Sequence, residues 1–143
     1  MKRNYFEAMQ LGKKGYGRAM ESVCRQWDLT QNELNVLLFL ANNPGFDRAA
    51  DLVTHRGMTK SHVSLSVTNL ESRGLLLRRA DPQDRRTVHL ELTEESREIA
   101  RAGREVQRAY FGRLFRGLSR EELDIWQEVM EKVCRNMEQM ETE

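Results

Sequence analysis

The sequence is poor in cysteine and proline and has no long apolar run. Cys24 and Cys134 lie far apart and form no Cys-x-x-Cys pair, which argues against a disulfide framework and a structural zinc site. The longest apolar stretch, residues 36–41, has six residues, whereas a membrane span needs about 20. No apolar stretch of signal-peptide length follows the N-terminus. We therefore expect a cytoplasmic chain without membrane contact, and two prolines leave long segments available for helices.

The signatures of catalysis are also missing. The sequence contains no Gly-rich phosphate loop, no HExxH zinc helix and no nucleophile with a recognisable base and orienting group. His55, His62 and His89 form no pair at metal-ligand spacing on one helical face. We therefore expect no enzymatic activity, no cofactor and no metal site. For the two cysteines, a redox role is the alternative to the usual role of a lone helical cysteine as a small core hydrophobe.

Charge is distributed unevenly along a chain whose 143 residues suit one folding unit. Residues 54–89 carry seven basic and three acidic residues, a net charge of +4, within a chain whose total is only +1. Residues 1–28 carry six basic and three acidic residues, or +3, whereas residues 93–143 carry nine basic and twelve acidic residues, or −3. The basic middle segment indicates a polyanionic partner.

Two helices are predicted in the first 45 residues. Apolar side chains and glycines spaced by three and four residues predict the first helix, at Met9, Gly12, Tyr16, Met20, Val23 and Trp27. The glycines at positions 12, 15 and 17 indicate a bend or a close approach by another backbone. Thr30 and Glu33 have the spacing of a capping box, which predicts the start of the second helix.

Two further helices are predicted before residue 75. Asp47 is expected to cap a short helix that ends near His55. Thr59 is expected to cap the next helix, which runs to Arg73, with Gly74 in the left-handed position that follows a helix. Val63, Val67 and Leu70 form its apolar back. Its opposite face carries short polar side chains and almost no acid, at Lys60, Ser61, His62, Ser64, Leu65, Thr68 and Asn69.

A hairpin and two long helices are predicted for the rest of the chain. Residues 75–77 and 87–92 are predicted strands, joined by a charged turn at residues 81–86. Thr93 is expected to open a long helix, and Ser119 with Glu122 forms a second capping box. The last helix has a heptad seam of apolar residues at Leu123, Trp126, Met130, Val133, Met137 and Met140.

This order of elements predicts a mainly α fold, a winged helix-turn-helix. The second helix of the pair presents a ridge of short side chains that suits the major groove of DNA. An arginine at the hairpin tip, Arg85 or Arg86, suits the negative potential of the adjacent minor groove. For the helix face the alternative is an ordinary solvated surface, and for the tip it is a local salt bridge to Asp84.

The segment from Leu29 to Thr93 resembles the MarR family of bacterial transcriptional regulators, most strongly in its hairpin. The resemblance is carried by Asp81-Pro82-x-Asp84-Arg85-Arg86, which follows Leu70-Glu71-x-x-Gly74-Leu75 and precedes Leu92-Thr93. It implies a homodimer with an N-terminal dimerisation helix in residues 1–28, a DNA-binding lobe in residues 29–93 and C-terminal dimerisation helices in residues 94–143. It also implies that Arg86 is the minor-groove arginine, held by Asp84, and that a small-molecule effector binds between the lobe and the dimer helices. Ser96 stands where the family often has glycine, and residues 46–53 blur its usual apolar pattern.

The predicted function is sequence-specific DNA binding by a transcriptional regulator, expected to be a repressor of a pseudo-palindromic operator. The predicted DNA-contacting residues are Thr59, Lys60, Ser61, His62, Ser64, Leu65, Thr68 and Asn69 of the recognition helix, with Asp84, Arg85 and Arg86 of the wing. The predicted dimer interface comprises Met9, Tyr16, Leu123, Trp126, Met130, Val133 and Met137. Core packing within one chain is the alternative for this set, as is a pliable ligand pocket for the methionines. The alternative function is a winged-helix protein-interaction module, which has no need of a basic wing tip.

Overall fold

The computed structural model describes residues 2–142, and within that range the chain forms six helices and one two-stranded antiparallel sheet. In chain order the elements are α1 (Tyr5–Trp27), α2 (Gln31–Asn42), α3 (Ala49–Arg56), α4 (Lys60–Ser72), β1 (Leu76–Ala80), β2 (Val88–Leu92), α5 (Glu94–Leu114) and α6 (Arg120–Thr142). This order confirms the predicted winged helix-turn-helix. Helix α4 is the recognition helix, and β1, β2 and residues 81–87 form the wing. The chain divides into two compact units, one ending at Arg108 and the other beginning at Ala109.

The predicted helix caps at Thr30, Thr59 and Ser119 are present. Thr30 Oγ1 accepts from the Glu33 amide at 3.1 Å, while Glu33 Oε1 accepts from the Thr30 amide at 2.8 Å. The same reciprocal pair joins Ser119 and Glu122, at 3.1 and 2.8 Å. Thr59 Oγ1 accepts from the amide three residues later, at 3.1 Å. Each cap satisfies amides that the first helical turn leaves without a partner, so these helices begin where the sequence predicts.

Helix α2 lies at the centre of the first unit and is buried along most of its length. The apolar back of α4 packs on it, and Val63, Val67 and Leu70 are all buried, as predicted. Helix α5 approaches α2 at Gly103, where an added Cβ would lie 2.8 Å from Leu38 Cδ2. The core also includes residues from the hairpin and α5, namely Leu75, Leu76, Leu90, Ile99 and Ala100.

The prediction that Asp47 caps α3 is wrong. The helix begins two residues later, at Ala49, and the amide of Arg48 donates to Asp51 Oδ2 at 3.0 Å. Asp47 is instead bound to the hairpin, because its backbone oxygen accepts from the Leu90 amide at 2.7 Å. A tertiary contact with β2 therefore replaces the local cap, and Asp47 extends the sheet by one hydrogen bond on the side of β2 away from β1.

The hairpin extends further than the predicted first strand. Strand β1 was expected at residues 75–77, but it continues through Arg78 and Arg79 to Ala80, because each of these residues has a partner on β2. The register pairs Leu76 with Leu92 and Ala80 with Val88. Charged residues are accepted in this strand since its outer positions are exposed to solvent.

Helix α1 is continuous through its glycines and is joined to both neighbouring segments. The backbone oxygen of Gly17 accepts from Gln31 Nε2 at 2.8 Å. This contact is with a side chain, and nothing lies within 4 Å of a Cβ built at Gly12, so the predicted approach by another backbone is not found at these two glycines. At its C-terminal end, Arg73 Nη2 and Nη1 donate to the backbone oxygens of Trp27 and Asp28, each at 2.6 Å. Arg73 is the residue that ends α4, so one guanidinium joins the ends of α1 and the recognition helix.

The second unit exposes a long apolar stripe. Phe115 packs edge-on against Trp126, with ring centroids 5.3 Å apart. No described residue of α6 is buried, and Ile125 and Val129, outside the predicted seam, are 61% and 50% exposed. None of the helices in residues 2–142 has the length and apolar character needed to cross a membrane.

Candidate nucleic-acid interface

The recognition helix presents a polar ridge to solvent. Its apolar back is buried against α2 and α3, so the other face is left outward. All the predicted DNA-contacting residues are exposed: Thr59, Lys60, Ser61, His62, Ser64, Leu65, Thr68 and Asn69. Leu65 is 62% exposed, an apolar side chain of the kind that contacts thymine methyl groups in the major groove. The face therefore combines hydroxyl, amide and imidazole groups with one cation and no carboxylate.

Arg78 of β1 lies beside this face and was not among the predicted residues. Its Nη2 donates to Thr68 Oγ1 at 3.3 Å, and its Nε lies 3.2 Å from Glu71 Oε2. Because Leu90 is its cross-strand partner, Arg78 extends from the hairpin face that packs toward the helices. The alternation of side chains along β1 is the sequence feature that could have predicted this position, because it places Arg78 on the same face as Leu76.

A cavity of about 440 Å³ opens between α3, α4 and the hairpin. Its walls are mainly apolar, and its basic groups are Lys60 and Arg78. The cavity therefore lies between the two parts of the candidate interface, the recognition helix and the wing.

The turn at the tip of the wing is held by two aspartates. Asp81 Oδ1 accepts from the amides of Gln83 and Asp84, at 2.8 and 3.1 Å. Asp84 Oδ1 then accepts from the Arg86 amide at 3.0 Å, and its Oδ2 accepts from Thr87 Oγ1 at 3.0 Å. Aspartate side chains commonly hold turns through backbone amides a few residues later. The tip therefore has a defined shape, although the side chains at residues 82–86 are all exposed.

Arg85 and Arg86 are exposed, and in residues 2–142 neither guanidinium forms an ion pair or a hydrogen bond. The carboxylate of Asp84 binds the backbone amide of Arg86 rather than its guanidinium. Asp84 thus positions the backbone from which Arg86 extends, and the local salt bridge considered from the sequence is not formed. Both cations are available to a partner.

His89 bridges the wing and the segment before α3. Its Nε2 lies 2.8 Å from Asp81 Oδ2, and its Nδ1 lies 2.8 Å from Asp47 Oδ1. The hydrogen bond to His89, together with the amides of Gln83 and Asp84, lowers the pKa of Asp81 from 3.8 to about 2. The hydrogen bonds to Asp81 and Asp47 raise the pKa of His89 above its usual 6.5. This contact does not follow from local sequence spacing, because Asp47 is 42 residues from His89.

The predicted dimer residues differ in exposure. Met9 is 56% exposed and Trp126 49% exposed, and Met130 and Met137 are also exposed, whereas Tyr16, Leu123 and Val133 are half-buried. The Tyr16 hydroxyl accepts from Gln107 Nε2 at 2.6 Å within the chain. A dimer interface at these residues stays a prediction.

A chain of polar contacts surrounds Tyr16 in the first unit. Gln107, which donates to the Tyr16 hydroxyl, accepts from Asn42 Nδ2 at 3.1 Å. The guanidinium of Arg56 lies 6.0 Å from the centroid of the Tyr16 ring and donates to Asn35 Oδ1 at 3.1 Å. Side chains of α1, α2, α3 and α5 thus meet around one aromatic ring.

The two cysteines lie in different environments. Cys24 is buried, and burial raises the pKa of its thiol, with Glu21 and Glu33 adding to the effect. A buried thiol with a raised pKa is poorly reactive, which favours the role of core hydrophobe for Cys24. Cys134 is exposed. No group of three or more histidine, cysteine or acidic residues in the described range could hold a metal ion.

Comparison with known proteins gives one consistent result. A family model described as MarR family matches residues 27–87. Transcriptional regulator HosA of Escherichia coli O111:H- is 31% identical over 110 residues, which cover 74% of this chain and 78% of that protein. A MarR family regulator from Listeria monocytogenes, crystallised with a 26mer DNA, has a TM-score of 0.83 at 16% identity, covering 96% of this chain and 90% of its own. CouR from Rhodococcus jostii RHA1, bound to p-coumaroyl-CoA, has a TM-score of 0.74 at 23% identity, covering 90% and 89%.

Proposed function

Because the chain belongs to the MarR family of transcriptional regulators, we propose that it binds a pseudo-palindromic DNA operator as a homodimer and represses transcription there. The observation that carries this proposal is the pair of unpartnered guanidinium groups, on Arg85 and Arg86, at a turn held in shape beside an acid-free helix face. A protein-interaction module has no need of both features together. The activity would take place in the cytoplasm and involve no catalysis.

The two parts of the interface have different tasks. The recognition helix enters the major groove, where Ser61, Ser64 and Thr68 hydrogen-bond to base edges and Lys60 contacts a phosphate. Arg86 enters the flanking minor groove, with Arg85 on the backbone beside it. The Asp84 contact fixes the direction from which Arg86 arrives. Sequence preference therefore depends on the helix, whereas overall affinity depends more on the wing.

The exposed apolar stripe of α6 and the start of α1 supply the dimer interface in this proposal. Residues 1–28 and 94–143 form the dimerisation helices around the DNA-binding lobe at residues 29–93. Met9, Trp126 and Met137 are large apolar side chains exposed to solvent. Exposed apolar patches commonly mark protein–protein contacts, which supports an interface here. In a symmetric dimer two recognition helices meet half-sites about one helical turn apart.

The polar contacts around Tyr16 form the proposed effector site. Arg56 offers a cation, and Tyr16, Asn42 and Gln107 offer hydrogen-bonding groups beside an aromatic ring. This chemistry suits a small aromatic carboxylate or its thioester, and CouR was crystallised with p-coumaroyl-CoA. An effector that rearranges these contacts would change how α1 and α5 pack on the DNA-binding lobe and release the operator.

Fluorescence anisotropy against duplexes from the source genome, at two salt concentrations, tests the proposal. We expect a subset of duplexes to bind tightly and with strong salt dependence, and Arg86→Ala to weaken binding across all of them. Arg104→Ala, at an exposed arginine outside the interface, is the control and should bind as the native chain does. Ser64→Ala should change which duplexes are preferred.

Two results would contradict the proposal. Binding no tighter than the non-specific level, about 10⁻⁴ to 10⁻⁶ M, would favour the protein-interaction module, and affinity capture with the native chain would then identify its partner. Unchanged affinity in Arg86→Ala at physiological salt would show that the wing assignment is wrong.

A further inference from the structure

The side chain of His89 joins the wing to the segment that leads into α3. It stands on β2, next to Leu90, whose amide donates to the Asp47 backbone. The ring of His89 lies between two carboxylates, with each nitrogen 2.8 Å from an oxygen of Asp47 or Asp81. Asp47, His89 and Asp81 are called the wing clamp below.

A doubly protonated ring satisfies both contacts of the wing clamp, whereas a neutral ring satisfies only one. Neutral imidazole has one N–H and one nitrogen lone pair, so it can donate to only one of two ionised carboxylates. The other nitrogen would then place its lone pair 2.8 Å from a carboxylate oxygen, where the two repel. Imidazolium donates at both ends, and each hydrogen bond is strengthened by charge.

The same aspartate that binds His89 also shapes the wing tip. Asp81 uses Oδ2 for His89 and Oδ1 for the amides of Gln83 and Asp84. Asp84 in turn accepts from the Arg86 amide. A continuous series of hydrogen bonds therefore runs from the segment before α3 to the backbone of the proposed minor-groove arginine.

We propose that His89 is a positioning residue, whose protonation holds the wing against the helix-turn-helix and makes operator affinity depend on pH. When the ring loses its second proton, one carboxylate is released, and the direction of Arg86 is less well fixed. Affinity for DNA then falls because a flexible wing must be ordered on binding. This inference rests on the proposed function, since it concerns how that same interface is regulated.

The other charged groups on the elements that pack against β2 have partners other than His89. Arg79 is its cross-strand partner, but the guanidinium of Arg79 is paired with Glu91 at 2.9 Å. Helix α2, which packs against β2, has Glu33 as its only charged residue, and Glu33 caps its own helix. The charged groups bound to His89 are therefore those of Asp47 and Asp81.

The sign of the pH dependence follows from the two shifts. The raised pKa of His89 contributes stability to the folded wing. This stability is fully present below pH 6.5 and is lost as the pH rises through the folded-state pKa of His89. The lowered pKa of Asp81 gives a contribution that is complete above 3.8 and is lost as the pH falls through about 2. The wing clamp is therefore intact between pH 3.8 and pH 6.5. Starting from neutral pH, it opens when the pH is raised.

The protonation state can be measured without DNA. Long-range ¹H–¹⁵N spectra of the full-length protein at pH 6.5 should show His89 with both nitrogens protonated, and the ring should lose its second proton only at higher pH. Asp81→Asn should lower the pKa of His89, because it removes one carboxylate. A neutral His89 tautomer at pH 6.5 would refute the wing clamp.

The effect on DNA is measured with an operator duplex from the anisotropy selection, between pH 6 and 8.5. His62 on the recognition helix is a second imidazole at the proposed interface, so all proteins carry His62→Gln. Affinity should fall as pH rises, by no more than tenfold per pH unit, as one linked proton requires. Further replacement of His89 by Gln should remove this slope, whereas replacement of His55, whose ring packs on Phe46, should retain it.

The outcomes separate this inference from the proposed function. If an operator binds but the His62→Gln protein shows no slope, or if His89→Gln leaves the slope unchanged, the inference is wrong and operator binding stands. If no duplex binds at any pH, both the proposed function and the pH-dependent affinity are refuted. The spectra still show in that case whether His89 is the bridging imidazolium.

Discussion

Gly103 is the residue of α5 that an added methyl group would affect most. A Cβ at this position would lie 2.8 Å from Leu38 Cδ2 and 3.3 Å from Leu38 Cδ1 and Cγ. Leu38 is only 2% exposed, so its side chain has little room to move away. Gly112 lies in the same helix, and nothing within 4 Å would meet its Cβ. The same substitution at the two sites should therefore have opposite effects on stability.

The magnitudes decide the sign at each site. Replacing glycine by alanine in a helix stabilises the folded state by roughly 0.5 to 1 kcal/mol. Overpacking a buried contact costs about 1 to 3 kcal/mol. For Gly103→Ala the midpoint of the cost exceeds that of the gain, and we expect a net destabilisation of about 1 kcal/mol. For Gly112→Ala only the gain applies.

Urea unfolding at a fixed protomer concentration measures both variants, because subunit association would otherwise shift the midpoint. Gly103→Ala should have the lower free energy of unfolding and Gly112→Ala the higher. Gly103→Ala as stable as Gly112→Ala would refute the close packing of α5 on α2. In a double-mutant cycle, Leu38→Ala should cost less in the Gly103→Ala background than alone, because it removes the clash and the added methyl group partly fills the cavity.

Three further predictions concern a cap, a connection and a thiol. Thr30→Ala should lower the free energy of unfolding by about 1 kcal/mol, with no change in DNA affinity beyond the loss of folded protein. Arg73→Ala should lower the free energy of unfolding by about 1 kcal/mol. Arg73→Lys should recover only part of this loss, because an ammonium lacks the planar fork that reaches both the Trp27 and Asp28 oxygens. Full recovery in Arg73→Lys would contradict the bidentate contact. In a Cys134→Ser background, Cys24 should react with Ellman's reagent only after unfolding, and rapid reaction of the native protein would show that Cys24 is not buried.

Features determined by residues close in sequence were predictable. The caps at Thr30, Thr59 and Ser119 and the apolar back of α4 each depend on spacings of three or four residues, and the structure confirms them. The order of helices and strands gave the fold class for the same reason. Exposure of the recognition face follows from burial of its back, although contact with DNA stays a prediction for every residue of that face.

Features determined by distant residues were not predictable. Asp47 has the local signature of a cap, yet 42 residues separate it from His89, which binds its carboxylate. Arg78 was counted only as part of a basic segment, because its contacts with Thr68 and Glu71 depend on how the hairpin packs on α4. Ile125 and Val129 fall outside the heptad pattern, although they are among the most exposed apolar residues of α6.

The guanidinium of Arg73 couples the orientation of α1 to that of α4. Arg73 binds the backbone oxygens of Trp27, the last residue of α1, and of Asp28, which follows it, and Arg73 itself ends the recognition helix. A tilt of α1 is thus transmitted to the recognition helix through two hydrogen bonds. In the proposed dimer, the two recognition helices would have to match half-sites about 34 Å apart. A small change in the tilt of α1 would then displace them from the two major grooves.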